Sequence, residues 1–351
     1  MVLNKYRSRV ADAARDAAGD KTGGDKTGID KAGVEAGAET GAEANIETML
    51  TPTTPPMWID MVSPTPDEIH SVEQSLGLEI PTREEMEEIE LSSRLYEENG
   101  ALFMTAPVLY NATTEAPATS AVTFILTRTT LVTLRYANPV PIQAFARRCE
   151  RLPGLMASPE VVLLGLLEQI VDRLADIMEA TTVNLESVSH RVFPKTRRSG
   201  KSGGDYEEIL RELGHAADLA TKAKESLLGL HRLTLFLSTQ ARLKKNPQAR
   251  LKTLSRDIAS ITEHGNFLAN KVTFLLDATL GLINIEQNNI VKIFTVASVA
   301  FLPPTLIASI YGMNFHILPE LDWEFGYPFA ITLMVLSSVL PFWYFRRRGW
   351  L

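Results

Sequence analysis

The chain has 351 residues and a formal net charge of −7 at neutral pH, with 22% of its residues charged and a single cysteine, Cys149. That acidic balance argues against a nucleic-acid partner, whose recognition surface is basic. One cysteine excludes an intrachain disulfide and suits a reducing compartment.

Hydropathy is uneven along the chain: the long apolar runs fall in the last sixty residues, and the first fifty hold almost none. No apolar stretch follows Lys5 and Arg7, so no secretory signal is expected. Residues 1–54 read as a disordered tail. Ala, Gly, Asp, Lys and Thr dominate it and GDKTG recurs, leaving too little apolar surface to offset the entropy of ordering.

A cytosolic α/β domain is expected over 55–155. Residues 57–62 read as a strand; Pro66 opens a helix that Gly77 stops. Pro81 opens a second, acidic helix to about residue 91. Residues 101–110, 121–126 and 131–136 are β-rich runs broken by turn residues, and a helix over 141–151 closes the unit.

Residues 156–246 predict an antiparallel helix pair. Val162, Leu166, Ile170, Leu174 and Ile177 recur at helical spacing in the first helix, 159–192. Glycines and basic residues at 197–204 form the loop, and a second helix over 206–242 is broken at Asn246-Pro247. Two long helices with a short connection fold back on each other. Residues 247–311 predict one stalk helix continuing into a first membrane span at about 290–311, since no proline interrupts it before Pro303. At 1.5 Å per residue such a helix extends on the order of 90 Å.

Residues 290–311 carry one charge, Lys292, and 329–345 carry none. Both approach the roughly 17–25 residues that cross a bilayer core, and a second span is expected over 327–346. Arg346, Arg347 and Arg348 open a basic C-terminus (347–351), while the loop 312–326 has no Lys or Arg. By the positive-inside rule both termini are cytosolic and the loop faces outward. Trp323, Tyr327, Trp343, Tyr344 and Trp350 supply interfacial aromatics.

Steps of four and three along the first span pick out Asn284, Asn288, Val291, Thr295, Ser298, Leu302, Thr305, Ser309 and Gly312. This is one seam of 3.5-residue period, mostly small or polar. Such residues also let membrane helices pack closely. Hydroxyls at several levels and two amides at the cytosolic entrance are more than a contact seam needs, and they favour a water-facing pore. Pro303 and Pro304 cannot donate to the carbonyls of Val299 and Ala300, which suits a wet cavity as well as a simple kink. One subunit with two spans cannot enclose a pore, so a closed homo-oligomer is required.

At the outer end of the first span stands Tyr-Gly-Met-Asn-Phe at 311–315, followed by Leu-Pro-Glu-Leu at 318–321, Trp323, Gly-Tyr-Pro at 326–328, an apolar span and a basic end. This resembles the signature of the CorA magnesium transporters, with Leu318 where the family usually has methionine. The resemblance extends back through Pro-Pro-Thr (303–305) and Glu-Gln-Asn (286–288) and covers everything but the N-terminal tail. It implies an α+β architecture: a cytosolic α/β domain, a long helical hairpin and stalk helix, and two C-terminal transmembrane helices in a funnel-shaped homopentamer. It implies inner-membrane uptake of Mg2+, with Co2+ and Ni2+ as further cargoes and no organic cofactor. Gly312, Met313 and Asn314 would form the selectivity filter, with Asn314 as a ring at the outer mouth. Mg2+ sheds water reluctantly, and neutral amide oxygens accept hydrogen bonds from its hydration shell without holding it too tightly for release. Gly312 is expected to permit a tight turn there. Met313 is expected to pack, since a thioether suits softer metals. Val291 and Leu302 would form hydrophobic constrictions.

Glu320, Asp322 and Glu324 in the outer loop are candidates for attracting cations. The resemblance also implies a regulatory metal site between subunits, mapped here to Glu88, in the acidic run 84–88, and Asp277 on the stalk. Two facing carboxylates repel unless a cation bridges them, so loss of internal Mg2+ would bias opening.

No enzyme is expected. The pattern G-x-S-x-G at 200–204 lacks a preceding strand, Lys195 stands where a phosphate loop needs its first glycine, and the six histidines show no zinc-binding spacing. Two alternatives remain: a zinc transporter of the same architecture, and a non-conducting membrane-anchored helical sensor.

Overall fold

The computed structural model describes residues 56–348 except 89, 195–204, 241–243 and 315–322. The expected disordered tail, the 197–204 loop, Glu320, Asp322 and Trp350 lie outside the described residues. The chain divides into two units: Met1–Phe193 with Arg211–Thr273, and Pro194–Leu210 with Phe274–Leu351.

The described elements run β1 (Trp58–Val62), α1 (Pro66–Leu76), α2 (Arg83–Glu87), α3 (Leu91–Arg94), β2 (Leu95–Glu98), β3 (Ala101–Tyr110), β4 (Ala118–Leu126), β5 (Leu131–Arg135) and α4 (Val140–Arg151). A 3₁₀ turn at Pro153–Met156 leads into α5 (Pro159–Val192), α6 (Asp205–Gln240), α7 (Lys245–Tyr311) and α8 (Gly326–Arg347). The strands form one sheet in the order β1-β5-β4-β3-β2, with β1 and β5 parallel and the other pairs antiparallel.

Local chemistry sets the boundaries of the first elements. Thr65 caps α1 in a reciprocal capping box with Glu68, Pro66 occupies its first turn, and Gly77 ends it in the left-handed region at φ 65°. The acidic helix expected from Pro81 to about residue 91 is shorter. It starts behind the Thr82 cap, stops at Glu87, and Glu88 leaves helical geometry at ψ 143°. Continuing the helix would set Glu84 beside Glu88 at i,i+4, a repulsive pair. Instead Arg94 donates from Nε to the Glu88 carbonyl oxygen.

Strand β2 is an addition to the expected set. It pairs with β3 across Asn99-Gly100, with φ of 50° and 76°, and Glu98 faces Ala101. Asn-Gly with both residues at positive φ is the preferred two-residue hairpin turn, so that dipeptide was the available signal.

One face of the sheet packs Ile59, Met61, Phe103, Ile125, Val132 and Leu134 with Val72 of α1 and Met86 of α2. Within the sheet, Asp60 of β1 and Arg135 of β5 are both nearly fully buried and form a bidentate ion pair at 3.0 and 2.8 Å. Thr133 donates to Asp60 at 2.7 Å and accepts from the Trp58 indole at 3.0 Å. The remaining guanidinium nitrogen donates to the carbonyl of Ala137 at 2.9 Å and to the Asn138 side chain. Every polar group in this buried set has a partner, as a low-dielectric interior demands. Cys149 is buried on α4, and that burial pushes its thiol up to about 11, which keeps it protonated and unreactive at neutral pH.

The long helices join the first unit by close contacts. Arg191 near the end of α5 pairs with Glu212 of α6, and Arg250 of α7 makes a bidentate pair with Glu168 of α5 at 2.9 and 2.6 Å. A Cβ at Gly165 of α5 would sit 2.5 Å from the Phe145 ring, so α4 lays an aromatic side chain directly on α5 backbone. Gly165→Ala is therefore expected to destabilise the protein by about 1–3 kcal/mol through overpacking. Thermal unfolding of the purified chain would show it as a lowered midpoint, partly restored when Phe145→Leu is added.

The second unit contains the later part of α7 and all of α8. Both helices are long and apolar enough to cross a membrane, by length and composition.

Candidate functional site

The candidate site is a line of residues on α7 and at its C-terminal end. Asn284, Asn288, Val291, Thr295, Ser298, Leu302, Thr305 and Ser309 are all exposed in the single chain. Exposure does not single them out, because Ile293 and Phe294 on other faces are about 70% exposed as well. The chemistry differs between faces. Ser298, Leu302, Thr305 and Ser309 share one groove with Ala297, Phe301 and Leu306, while Ile293 and Phe294 lie outside it. A helix that drifts about 20° per seven residues keeps such a seam on one broad face.

Three of the seam hydroxyls have a local tether. Thr295 donates to the Val291 carbonyl at 2.8 Å, Ser298 to Phe294 at 2.8 Å and Thr305 to Phe301 at 2.7 Å. The single hydroxyl proton is thus used within the helix, and the oxygen lone pairs point away from it. Such oxygens can accept hydrogen bonds from the water shell of a cation. The helix passes through Pro303 and Pro304 without a break. The carbonyls of Val299 and Ala300 consequently lack their helical donors.

The end of α7 departs from the expected tight turn. Gly312 is not in the left-handed region; among the described glycines only Gly77 and Gly100 have positive φ. Its N–H instead bonds the Ala308 carbonyl at 2.9 Å and that of Met313 bonds Ile310 at 3.3 Å, tightening the last turn. A Cβ at Gly312 would come 3.1 Å from the Ala308 oxygen. The position favours glycine through close approach, not through its φ. Asn314 follows, exposed and outside the helix.

Glu88 is exposed at the end of α2 in the first unit and Asp277 is exposed on α7 in the second. Among the described residues no group of three or more His, Cys, Asp or Glu converges to hold a metal. Glu324 is exposed just before α8. Aromatic and basic groups mark the ends of α8. Trp323 packs against Phe325 and Phe329 with ring centroids 6.2 and 5.8 Å apart; Arg347 lies 5.4 Å over the Trp343 ring and Arg348 5.5 Å over that of Tyr344. Rings of this kind sit at the headgroup level of a bilayer.

An α/β domain followed by long helices and two apolar helices defines a class: an integral membrane protein with a large domain outside the bilayer. The model of the CorA-like Mg2+ transporter proteins matches residues 56–347, and the chain belongs to that family. It is 37% identical over 295 residues to the magnesium transport protein CorA of Pectobacterium atrosepticum, covering 84% of this chain and 92% of that protein. The same identity and coverage hold for the magnesium transport protein CorA of Escherichia coli K12. Among solved structures, the complete CorA magnesium transporter of Methanocaldococcus jannaschii superposes with a TM-score of 0.67 at 20% identity, over 84% of this chain and 91% of that one. The full-length CmaX protein gives a TM-score of 0.57 at 15% identity, over 83% and 87% of the two chains. These likenesses support the CorA-like fold.

Proposed function

We propose that this chain is one subunit of a funnel-shaped homopentameric channel that passes Mg2+, and also Co2+ and Ni2+, into the cytoplasm across the inner membrane, with both termini cytosolic. The observation that carries this reading is the exposed amide- and hydroxyl-bearing seam of α7, which ends at Gly312, Met313 and Asn314. Several copies of that seam around an axis give a path lined by oxygen atoms, with Val291 and Leu302 as apolar constrictions that close by losing water. The Asn314 amides form the outer ring and bind the hydrated ion weakly. Acidic Glu324 raises the local cation concentration at the mouth, joined by Glu320 and Asp322. Between Asn284 and Asn314 there is no His or Cys, so the seam offers none of the nitrogen or sulfur ligands that Zn2+ favours.

Purified protein in liposomes tests the reading: Mg2+ influx down its gradient is expected, and protein that assembles in the membrane but admits no divalent ion leaves the helical-sensor alternative. Closure is assigned to cytosolic Mg2+ bridging Glu88 of one subunit and Asp277 of another. Glu88→Gln with Asp277→Asn is therefore expected to weaken inhibition by internal Mg2+ by about tenfold or more, as loss of two carboxylates from a hard-cation site predicts. Inhibition at wild-type concentrations would remove this gate.

A further inference from the structure

An open cavity of about 610 Å3 lies between the end of α6 and the start of α7, with Lys245, Gln248, Lys252 and Arg256 exposed to solvent on its wall. Its walls include three cations of α7: Lys245, Lys252 and Arg256. No acid lines it. Among the described residues none of the three has a carboxylate within ion-pair distance, whereas the neighbouring Arg250 is fully engaged by Glu168. Spacings of seven and four place all three on one side of α7. Lys252 and Arg256 are an i,i+4 like-charge pair, which is unfavourable unless something negative lies between them.

Two further features agree. The first turn of α7 contains no acid, and Lys244 and Lys245 stand there instead. A helix N-terminus is already the positive end, so lysines there run against the usual charge preference. Unused donors also line the cavity: the Ser255 hydroxyl and the Gln248 amide make no hydrogen bond among the described residues. Thr234 and Ser238 of α6, by contrast, donate to carbonyls of their own helix.

We infer that this cavity is a binding site for a small phosphate-bearing anion, held by Lys245, Lys252 and Arg256 and hydrogen-bonded by Ser255 and Gln248. Guanidinium and ammonium groups converging without acids are the usual recognition set for phosphate oxygens. The site is separate from the cation path and stands or falls independently of it. A bound anion would be held by side chains of α7 alone, and a ligand that binds only the folded state stabilises it.

Pyrophosphate is the probe. The full chain, purified in detergent in Mg2+-free buffer, is titrated with pyrophosphate while its thermal midpoint is followed. The midpoint is expected to rise saturably. The Lys252→Gln, Arg256→Gln double variant is expected to need at least about ten times more pyrophosphate for the same rise, since two charge-assisted contacts are lost. Lys222→Gln, on α6 outside the cavity, is expected to respond like wild type. Without pyrophosphate the double variant should unfold no lower than wild type, because a repulsive pair has been removed. A wild-type midpoint that pyrophosphate does not raise overturns the proposal, as does a double variant that responds over the wild-type concentration range.

Discussion

Replacing Asn314 by alanine is expected to remove most Mg2+ influx while leaving the protein folded and assembled. Asn314 is exposed and lies beyond the end of α7, so shortening its side chain removes no buried packing and stability should be unchanged. The expected effect is on ion passage alone. Mg2+ holds its waters tightly and needs acceptors that match its hydrated form. An alanine methyl accepts no hydrogen bond, so the proposed ring would lose all its side-chain oxygens at once. Influx into liposomes should fall by about tenfold or more, the loss expected when about 1.4 kcal/mol or more is added to the barrier. Asn314→Asp separates charge from geometry: a carboxylate ring binds more tightly and releases more slowly, so flux should fall while apparent affinity rises. Wild-type influx through Asn314→Ala would show that the ion does not pass this residue.

Asp60→Ala is expected to have the largest effect on stability. The carboxylate is buried and takes two hydrogen bonds from Arg135 and one from Thr133. Removing it leaves a guanidinium buried at 4% exposure with only Ala137 and Asn138 as partners. Breaking one side of a buried pair typically costs about 3–5 kcal/mol, a large part of the roughly 5–15 kcal/mol that holds a domain folded. The purified chain should show a sharply lowered unfolding midpoint or fail to accumulate. Adding Arg135→Met is expected to restore part of the loss, because an apolar side chain leaves no uncompensated charge. A double variant as unstable as the sum of the two single changes would mean the pair contributes nothing beyond packing.

The membrane helices and the polar seam were legible because they are local patterns. A bilayer demands a long run of apolar residues, and α8 is such a run. The seam follows from spacing on one helix, and α7 continues without a break from Lys245 to Tyr311. Caps were legible where Pro and Gly mark them, as at Pro66 and Gly77. The acidic segment was misjudged in length because charge repulsion between Glu84 and Glu88 competes with helix propensity. Strand β2 was overlooked because Leu95–Glu98 has little apolar alternation; its partner β3 and the Asn99-Gly100 turn supply the pairing. The role of Gly312 depended on backbone angles and the nearness of the Ala308 oxygen, neither of which spacing reports.

By itself the amino-acid sequence determined the two apolar helices, the α/β-then-helical order and the placement of amide and hydroxyl groups along one line of α7. These depend on the chemistry of neighbours within a few turns, where periodicity speaks directly. Only the tertiary structure decided that β1 runs parallel to β5, that Asp60 meets Arg135, and that Lys245, Lys252 and Arg256 share a cavity with α6. The first two join distant parts of the chain. Their free energy comes from apolar burial and from hydrogen bonds that offset the cost of desolvating charge, which no local pattern encodes.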